Sequence, residues 1–305
     1  MPGVRDIRRR IKAVRNTQQI TKAMKMVAAA KLLKAQARVT AARPYAGKLR
    51  EVLGRVVTGE EQAVHPLLAP REIRRVTIVA FTSDRGLAGS YNVNVVRRTL
   101  SALDETRGAG REPSVIAVGR KGIAALSRRG APISVQIPGL REEADLELAR
   151  DLVGRLRKAY LDGETDEVVL IYTRFFSALT QRVVTSRLLP ITQDLVAAAQ
   201  EGTNGKGSEA PRSPAAGGEG EYIYEPSPEG VLEILLARYL EVQIYHAIIE
   251  AKASEHGARM TAMENATNNA TDMIDRLTLE FNKARQAAIT REVSEIVGGA
   301  EALKG

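Results

Sequence analysis

The chain has 305 residues, 44% of them hydrophobic, with 45 Lys and Arg against 36 Asp and Glu and a net charge of +9. That is enough for one or two domains with a real core, and no apolar run approaches the roughly 20 residues that cross a bilayer. The absence of cysteine excludes disulfides, zinc-thiolate sites and thiol catalysis, and the start, with Arg5, Arg8, Arg9 and Arg10, lacks the apolar centre of a secretory signal.

The first element, residues 1–58, reads as a long helix. A seam steps by threes and fours through Val4, Ile7, Ile11, Val14, Gln18, Thr21, Lys25, Ala28, Leu32, Ala35, Val39 and Ala42. It opens β-branched and apolar, turns polar at Gln18, and then becomes rich in alanine, whose small side chain lets a second helix approach closely.

From about residue 72 the period shortens, and residues 72–196 read as a central α/β domain. Residues 75–82 (RVTIVAFT), 114–118, 133–137 and 167–172 read as buried strands, with helices at 90–107, 121–128 and 142–161 between them. This alternation implies a mainly parallel sheet with helices packed on it. Residues 181–189 alternate Val with polar residues, the pattern of an antiparallel edge strand. The glycine-bearing segment Ser83-Asp84-Arg85-Gly86-Leu87-Ala88-Gly89-Ser90-Tyr91-Asn92 follows the first strand. It lacks both the G-x-G-x-x-G and the G-x-x-x-x-G-K-[ST] spacing, so a tight turn with Ser90 or Asn92 as helix cap takes precedence over a phosphate cradle. Carboxylate pairs, nucleophile elbows and metal-ligand clusters are not apparent in the sequence, which argues against an active site in this chain.

Residues 197–221 are rich in Gly, Ser, Pro and Ala without apolar period and read as a flexible loop. The last element, residues 228–300, is a second long helix: 231–297 contain no proline and one interior glycine. Its seam passes through Leu232, Leu235, Tyr239, Val242, His246, Ile249, Ala253, His256, Met260, Met263, Thr267, Ala270, Ile274, Leu277, Phe281, Ala284 and Ala288. At about 1.5 Å per residue such a helix reaches roughly 100 Å, which suits a rod spanning a distance. Two of the three histidines lie on this seam, where a polar residue sets register more readily than it binds metal. The partner is either the N-terminal helix of the same chain or a second copy in a homodimer.

Charge is distributed unevenly. Residues 1–57 carry 15 Lys or Arg against Asp6 and Glu51, whereas residues 229–300 carry 7 basic against 11 acidic residues. Opposite signs favour pairing of the two helices, and the surplus on the first calls for water, nucleic acid or an acidic protein surface. Residues 1–43 contain no aromatic side chain to stack on bases, which weighs against nucleic acid.

Three segments in order resemble one family. Ile7-Arg8-Arg9-Arg10-Ile11 with residues 17–28 (TQQITKAMKMVA), Ser83-Asp84-Arg85-Gly86-Leu87-Ala88-Gly89, and residues 280–290 (EFNKARQAAIT) with 292–297 (EVSEIV) resemble the opening, central and C-terminal signatures of the gamma subunit of rotary ATP synthases. The resemblance implies an α/β chain in which a long antiparallel coiled coil of N- and C-terminal helices encloses a small Rossmann-like, mainly parallel domain. It implies a non-catalytic central-stalk rotor, one copy per complex, with no cofactor and no nucleic acid. Its implied partners are the hexamer of alpha and beta subunits, the epsilon subunit and the membrane c-ring, on the cytoplasmic side of a bacterial cell membrane, where proton flow drives rotation.

The resemblance also implies roles for residues. Arg285, Gln286 and Thr290 match positions that meet the catalytic subunits, and Met24 and Lys25 face their acidic lever. Ile296, Val297 and Ala300 suit a low-friction tip in an apolar sleeve. Arg43, Tyr45, Tyr224 and Glu225 belong to segments at the foot, near the ring and epsilon. Lys25 stands where many relatives carry an acidic residue, and the loop at 197–221 is long and lacks the cysteine pair of the redox-regulated chloroplast type. Two other classes remain open at this point: a nucleotide-binding enzyme using the Gly86 to Gly89 loop, and a basic coiled-coil scaffold for nucleic acid.

Overall fold

The computed structural model describes residues 3–56, 65–69, 71–139, 145–191 and 228–302. They form α1 (Val4–Val56), β1 (Arg75–Phe81), α2 (Tyr91–Gly108), β2 (Glu112–Val118), α3 (Arg120–Ser127), β3 (Ile133–Ile137), α4 (Asp145–Leu161), β4 (Glu167–Phe175), β5 (Gln181–Leu189) and α5 (Pro228–Ala302). The flexible-loop segment 197–221 lies outside the described residues. The chain divides into two compact units that cut across both long helices: Met1–Ala30 with Arg259–Gly305, and Lys31–Ala258.

In the larger unit the sheet runs β3-β2-β1-β4-β5. The first four strands are mutually parallel, and β5 pairs antiparallel with β4 at the edge, where its Val and polar alternation places it. Alternate residues of each strand feed opposite cores. Val79, Phe81, Ile116, Val118, Val168 and Leu170 face α4, the end of α1 at Leu49 and Leu53, and α5 from Leu232 to Ala251. Val76, Ile78, Ala80, Val115, Ala117 and Ile171 face α2 and α3. The result is three layers, with α5 serving as part of one helical layer.

Burial along α5 explains its length in this unit. The expected seam residues Leu232, Tyr239, Ile249 and Ala253 are buried, and so is a second set, Leu236, Leu240, Ile244, Ala247, Ile248 and Ala251. Here the helix is apolar on two sides because it covers the sheet as well as packing in the helical layer. At the lower end of the sheet, Asp166 accepts backbone N–H bonds from Arg74 and Arg75 at 3.1 and 2.8 Å. Burial raises its pKa, but those bonds and the Arg71 and Arg75 guanidinium groups hold it below the usual carboxylate value.

The smaller unit is a two-helix coil. Gln18 Nε2 donates to Thr271 Oγ1 at 2.7 Å, Thr21 and Thr267 share a hydroxyl bond of 2.8 Å, and Lys25 Nζ meets Glu264 Oε1 at 2.5 Å. As the α1 number rises from 18 to 25, the α5 number falls from 271 to 264. The helices are therefore antiparallel partners within one chain, and the homodimer alternative is unnecessary. The polar stretch of the α1 seam meets a polar stretch of the α5 seam, so each polar group finds a bond where an apolar partner would have left it unsatisfied.

Candidate coupling surface

The same countdown brings Val4, the first residue of α1, level with Ala284. Beyond that point α5 continues to Ala302 without α1 beside it. Ala284 is half-buried, but Ala288, expected on the inner seam, is exposed, because the partner helix has ended. Every described side chain from 285 to 299 is exposed. Isolated helices of this length are marginal in water, and this one carries an open apolar stripe: Ile289 (51% exposed), Val293 (52%), Ile296 (66%) and Val297 (57%). Their spacing of four, three and one places all four on one face.

Arg285, Gln286 and Thr290 are exposed on this bare segment, so their hydrogen-bonding groups face outward. Ile296 and Val297 belong to the apolar stripe, and Ala300 lies within α5. Ile289 and Val293 extend that stripe. In the sequence these two stand only within the C-terminal signature, although their four-residue spacing is a usable signal. Met24 is half-buried on α1. Lys25 sits on the coil seam with its charge paired to Glu264, and both side chains remain partly exposed.

The foot residues fall in the larger unit. Arg43 lies within α1, which runs through Pro44, and Tyr45 is 57% exposed. Tyr45 borders a cavity of about 370 Å³ together with Leu146, Arg150, Glu241 and Tyr245. Arg150 and Arg238 bracket the Glu241 carboxylate at 2.6 and 2.7 Å. Tyr224 and Glu225 lie outside the described residues.

The glycine-bearing loop is bonded inward. Asn92 Oδ1 accepts from the Ser83 N–H at 2.9 Å, Ser83 Oγ donates to the Arg85 carbonyl at 2.6 Å, and Asp84 Oδ1 accepts the N–H groups of Arg120 and Gly139 at 2.9 and 3.1 Å. Ser90 occupies the cap position of α2 without a side-chain cap bond; Asn92 instead turns back to hold Ser83. Below it, Thr82 Oγ1 donates to the Val118 carbonyl at 2.7 Å and accepts the Gly122 N–H at 2.9 Å. Gly119, at φ +92°, comes so near that a Cβ there would lie 2.2 Å from the Thr82 carbonyl oxygen. These contacts make the loop a structural clasp over the ends of β1 and β2. Among the described residues, no group of three or more His, Cys, Asp or Glu side chains is arranged to hold a metal.

Comparison with known proteins gives the arrangement a context. The ATP synthase family model matches residues 3–303. The chain is 52% identical to the ATP synthase gamma chain of Moorella thermoacetica, over the full length of both. It is 47% identical to that of Symbiobacterium thermophilum, over 98% of each. Among solved structures, it resembles a chain of the Tetrahymena thermophila mitochondrial ATP synthase central stalk and c-ring at TM-score 0.60 and 26% identity, covering 81% of this chain and 99% of that one. A chain of the Euglena gracilis mitochondrial enzyme, 21% identical, shares the fold at TM-score 0.65 over 98% of this chain and 94% of its own.

Proposed function

We infer the function from membership: the chain belongs to the ATP synthase gamma chain family. It is the central-stalk rotor subunit of a proton-translocating ATP synthase, a membrane-associated complex. Its partners are the hexamer of alpha and beta subunits and the c-ring, and it couples rotation of the ring to the catalytic cycle of the hexamer. The finer reading is a non-catalytic subunit, one per complex, contacting epsilon as well and lying on the cytoplasmic face of a bacterial membrane.

The observation that supports the reading is the bare end of α5. A helix end with an apolar stripe and no packing partner among the described residues gains stability inside a sleeve, and the head of an ATP synthase supplies one. In that sleeve Ile296, Val297 and Ala300 form the tip, where apolar contacts of low directionality permit sliding. Arg285, Gln286 and Thr290 are the directional contacts, bonding to one catalytic subunit at a time. Met24 and the Lys25–Glu264 pair face the acidic lever further down, and Arg43, Tyr45, Tyr224 and Glu225 belong to the foot. Because the two helices are unlike, the shaft presents a different face to each catalytic subunit, and each subunit takes the conformation that its face favours.

The test separates assembly from coupling. Gln286→Ala with Thr290→Ala removes two exposed polar groups, which changes the stability of the chain by less than about 0.5 kcal/mol. The doubly substituted chain enters the complex at one copy per hexamer, seen by native mass measurement, while ATP turnover falls several-fold through the loss of interface bonds worth roughly 0.5 to 1.5 kcal/mol each. Wild-type turnover in the assembled variant removes these two residues from the coupling contact. Failure of the unmodified chain to co-purify with a hexameric ATPase removes the rotor reading itself.

A further inference from the structure

The interior glycine of the last helix, Gly257, ends a face of α5 on which Glu250, Ser254 and Gly257 follow one another at steps of four and three. The hairpin that joins β4 to β5 rests on this face. Ser254 Oγ donates to the Thr173 carbonyl at 2.9 Å, and the Phe175 N–H donates to Glu250 Oε2 at 2.6 Å. At Gly257 an added Cβ would lie 3.2 Å from Gln181 Nε2 and 3.3 Å from a Phe175 ring carbon, so the missing side chain is what lets the hairpin come this close. The tip is also held by its own bonds. Gln181 Nε2 donates to the Ser177 and Ala178 carbonyls at 3.1 and 2.6 Å, and the Phe176 and Ser177 N–H groups donate to the Thr180 carbonyl at 3.2 and 3.0 Å.

Ser254 is 0% exposed and Glu250 1%. Burying a carboxylate this deeply is costly, and a well-packed apolar side chain would often serve stability as well. What the polar groups add is direction. The packing of Leu240, Ile244 and Ile248 beside them in the core is non-directional in its driving force, whereas a hydrogen bond weakens steeply once it is misaligned. The seat therefore sets the angle of α5 about its own axis, relative to the sheet, more sharply than apolar packing does. The Arg157–Glu233 pair between α4 and α5 differs in kind, with side chains 34% and 61% exposed, because exposed pairs are screened and weak. The seat also has a telling position, since the larger unit ends at Ala258, the residue after Gly257.

We propose that Glu250, Ser254 and Gly257 form the torsional lock of the rotor: they hold α5 against the β4–β5 hairpin so that the helix turns with the sheet and does not slip about its own axis. The role rests on the rotor reading above. All three are positioning residues, distinct from the side chains assigned to the catalytic head.

Two measurements test the lock, one on the full chain and one on the assembled complex. In the chain, Ser254→Ala leaves the hairpin seated through Glu250 alone, and amide exchange at Phe175 quickens by about tenfold. The β1 and β2 amides, which report the fold, are unchanged. In the complex the hexamer is fixed to a surface, and the cysteine-free chain carries a bead through Asp104→Cys, an exposed position on α2. Without ATP, the angular variance of the bead rises about twofold in Ser254→Ala, since mean-square displacement grows as stiffness falls. ATP turnover stays at the wild-type rate. Gly257→Leu keeps both hydrogen-bonding groups but wedges the tip off the helix, and gives the same rise. Arg157→Gln breaks the exposed pair and changes the variance by less than about a tenth.

Faster exchange at Phe175 with unchanged variance overturns the lock and leaves the rotor reading in place. An equal rise in Arg157→Gln overturns it as well, because that marks general softening of the unit. Turnover that falls in step with the rise in variance also overturns it, by assigning these residues to the head contact. Failure of the unsubstituted chain to join a hexameric ATPase removes the rotor reading and the lock with it.

Discussion

The same helix, α5, lives under two regimes, and the contrast between them separates what makes the chain fold from what makes it act. In the larger unit Leu236, Leu240, Ile244 and Ile248 are 1% exposed or less, because sheet and helices press on α5 from two sides. In the smaller unit, among the described residues, it packs on α1: Met263 and Ala270 are buried, Ile274, Leu277 and Phe281 are half-buried, and the side chains from 285 to 299 are all exposed. Stability is thus concentrated around the sheet and declines toward the bare end. A shaft that must be gripped by other subunits has to leave surface uncovered, and the polar layers at Gln18, Thr21 and Lys25 set register where apolar packing is thin.

The contrast can be broken most severely at the clasp. Gly119→Ala forces a Cβ into the Thr82 carbonyl at a backbone angle that L side chains rarely adopt, and costs more than about 4 kcal/mol. Thermal unfolding shows the sheet unit lost. Next is Leu236→Ala in the two-sided stretch, where the side chain is 0% exposed; the transfer and cavity terms together cost about 2 to 5 kcal/mol, read by chemical denaturation.

In the one-sided stretch the effect is smaller and local. Ile274→Asp with Leu277→Asp places two charges at half-buried seam positions, which costs about 2 kcal/mol in coil pairing. Hydrogen exchange quickens in residues 259–284 and stays unchanged in the strands; a change in the strands removes the independence of the two regimes. Thr21→Val costs about 1 kcal/mol or less by leaving Thr267 without its cross-helix bond, and adding Thr267→Val recovers it, since removing both partners of a hydrogen bond is close to neutral. The double variant loses register specificity, seen as altered cross-linking between engineered cysteines at 14 and 274.

The last contrast has no effect at neutral pH. Burial, reinforced by the nearby Glu250 carboxylate, raises the Tyr172 phenol to about 12 from an ordinary value of 10.0. The folded state holds the proton after the unfolded chain has released it. Its contribution is therefore fully present below pH 10 and is lost as pH rises toward 12. Denaturation midpoints fall over that window in the native chain and fall less in Tyr172→Phe; equal slopes remove Tyr172 as the cause.

Much of this was legible in the residues. The α1 seam from Val4 to Ala42 is buried or half-buried at every position, as is the α5 seam from Leu232 to Ala284, because a 3.6-residue helix repeats its environment at steps of three and four. The strands fell within a few residues of where β-branched runs placed them, and β5 lies antiparallel at the edge. The site was legible only in part. The outward polarity of Gln286 and Thr290 follows from the helical period, whereas the exposure of Ala288 does not, since it depends on where the partner helix begins.

The sequence by itself determined the period of each element, the two seams and the sign of charge on each helix, all of which follow from side chains taken a few residues at a time. Tertiary structure alone decided the rest. The seams by themselves state only that α1 and α5 need partners; the antiparallel intrachain pairing that the family resemblance implies is seen where Thr21 meets Thr267. The order β3-β2-β1-β4-β5 and the second buried face of α5 each join residues far apart in the chain or rank strands that share one pattern. Local periodicity fixes which way a side chain points along its own helix or strand; what it meets there is settled only when separate elements compete to bury their apolar faces against one another.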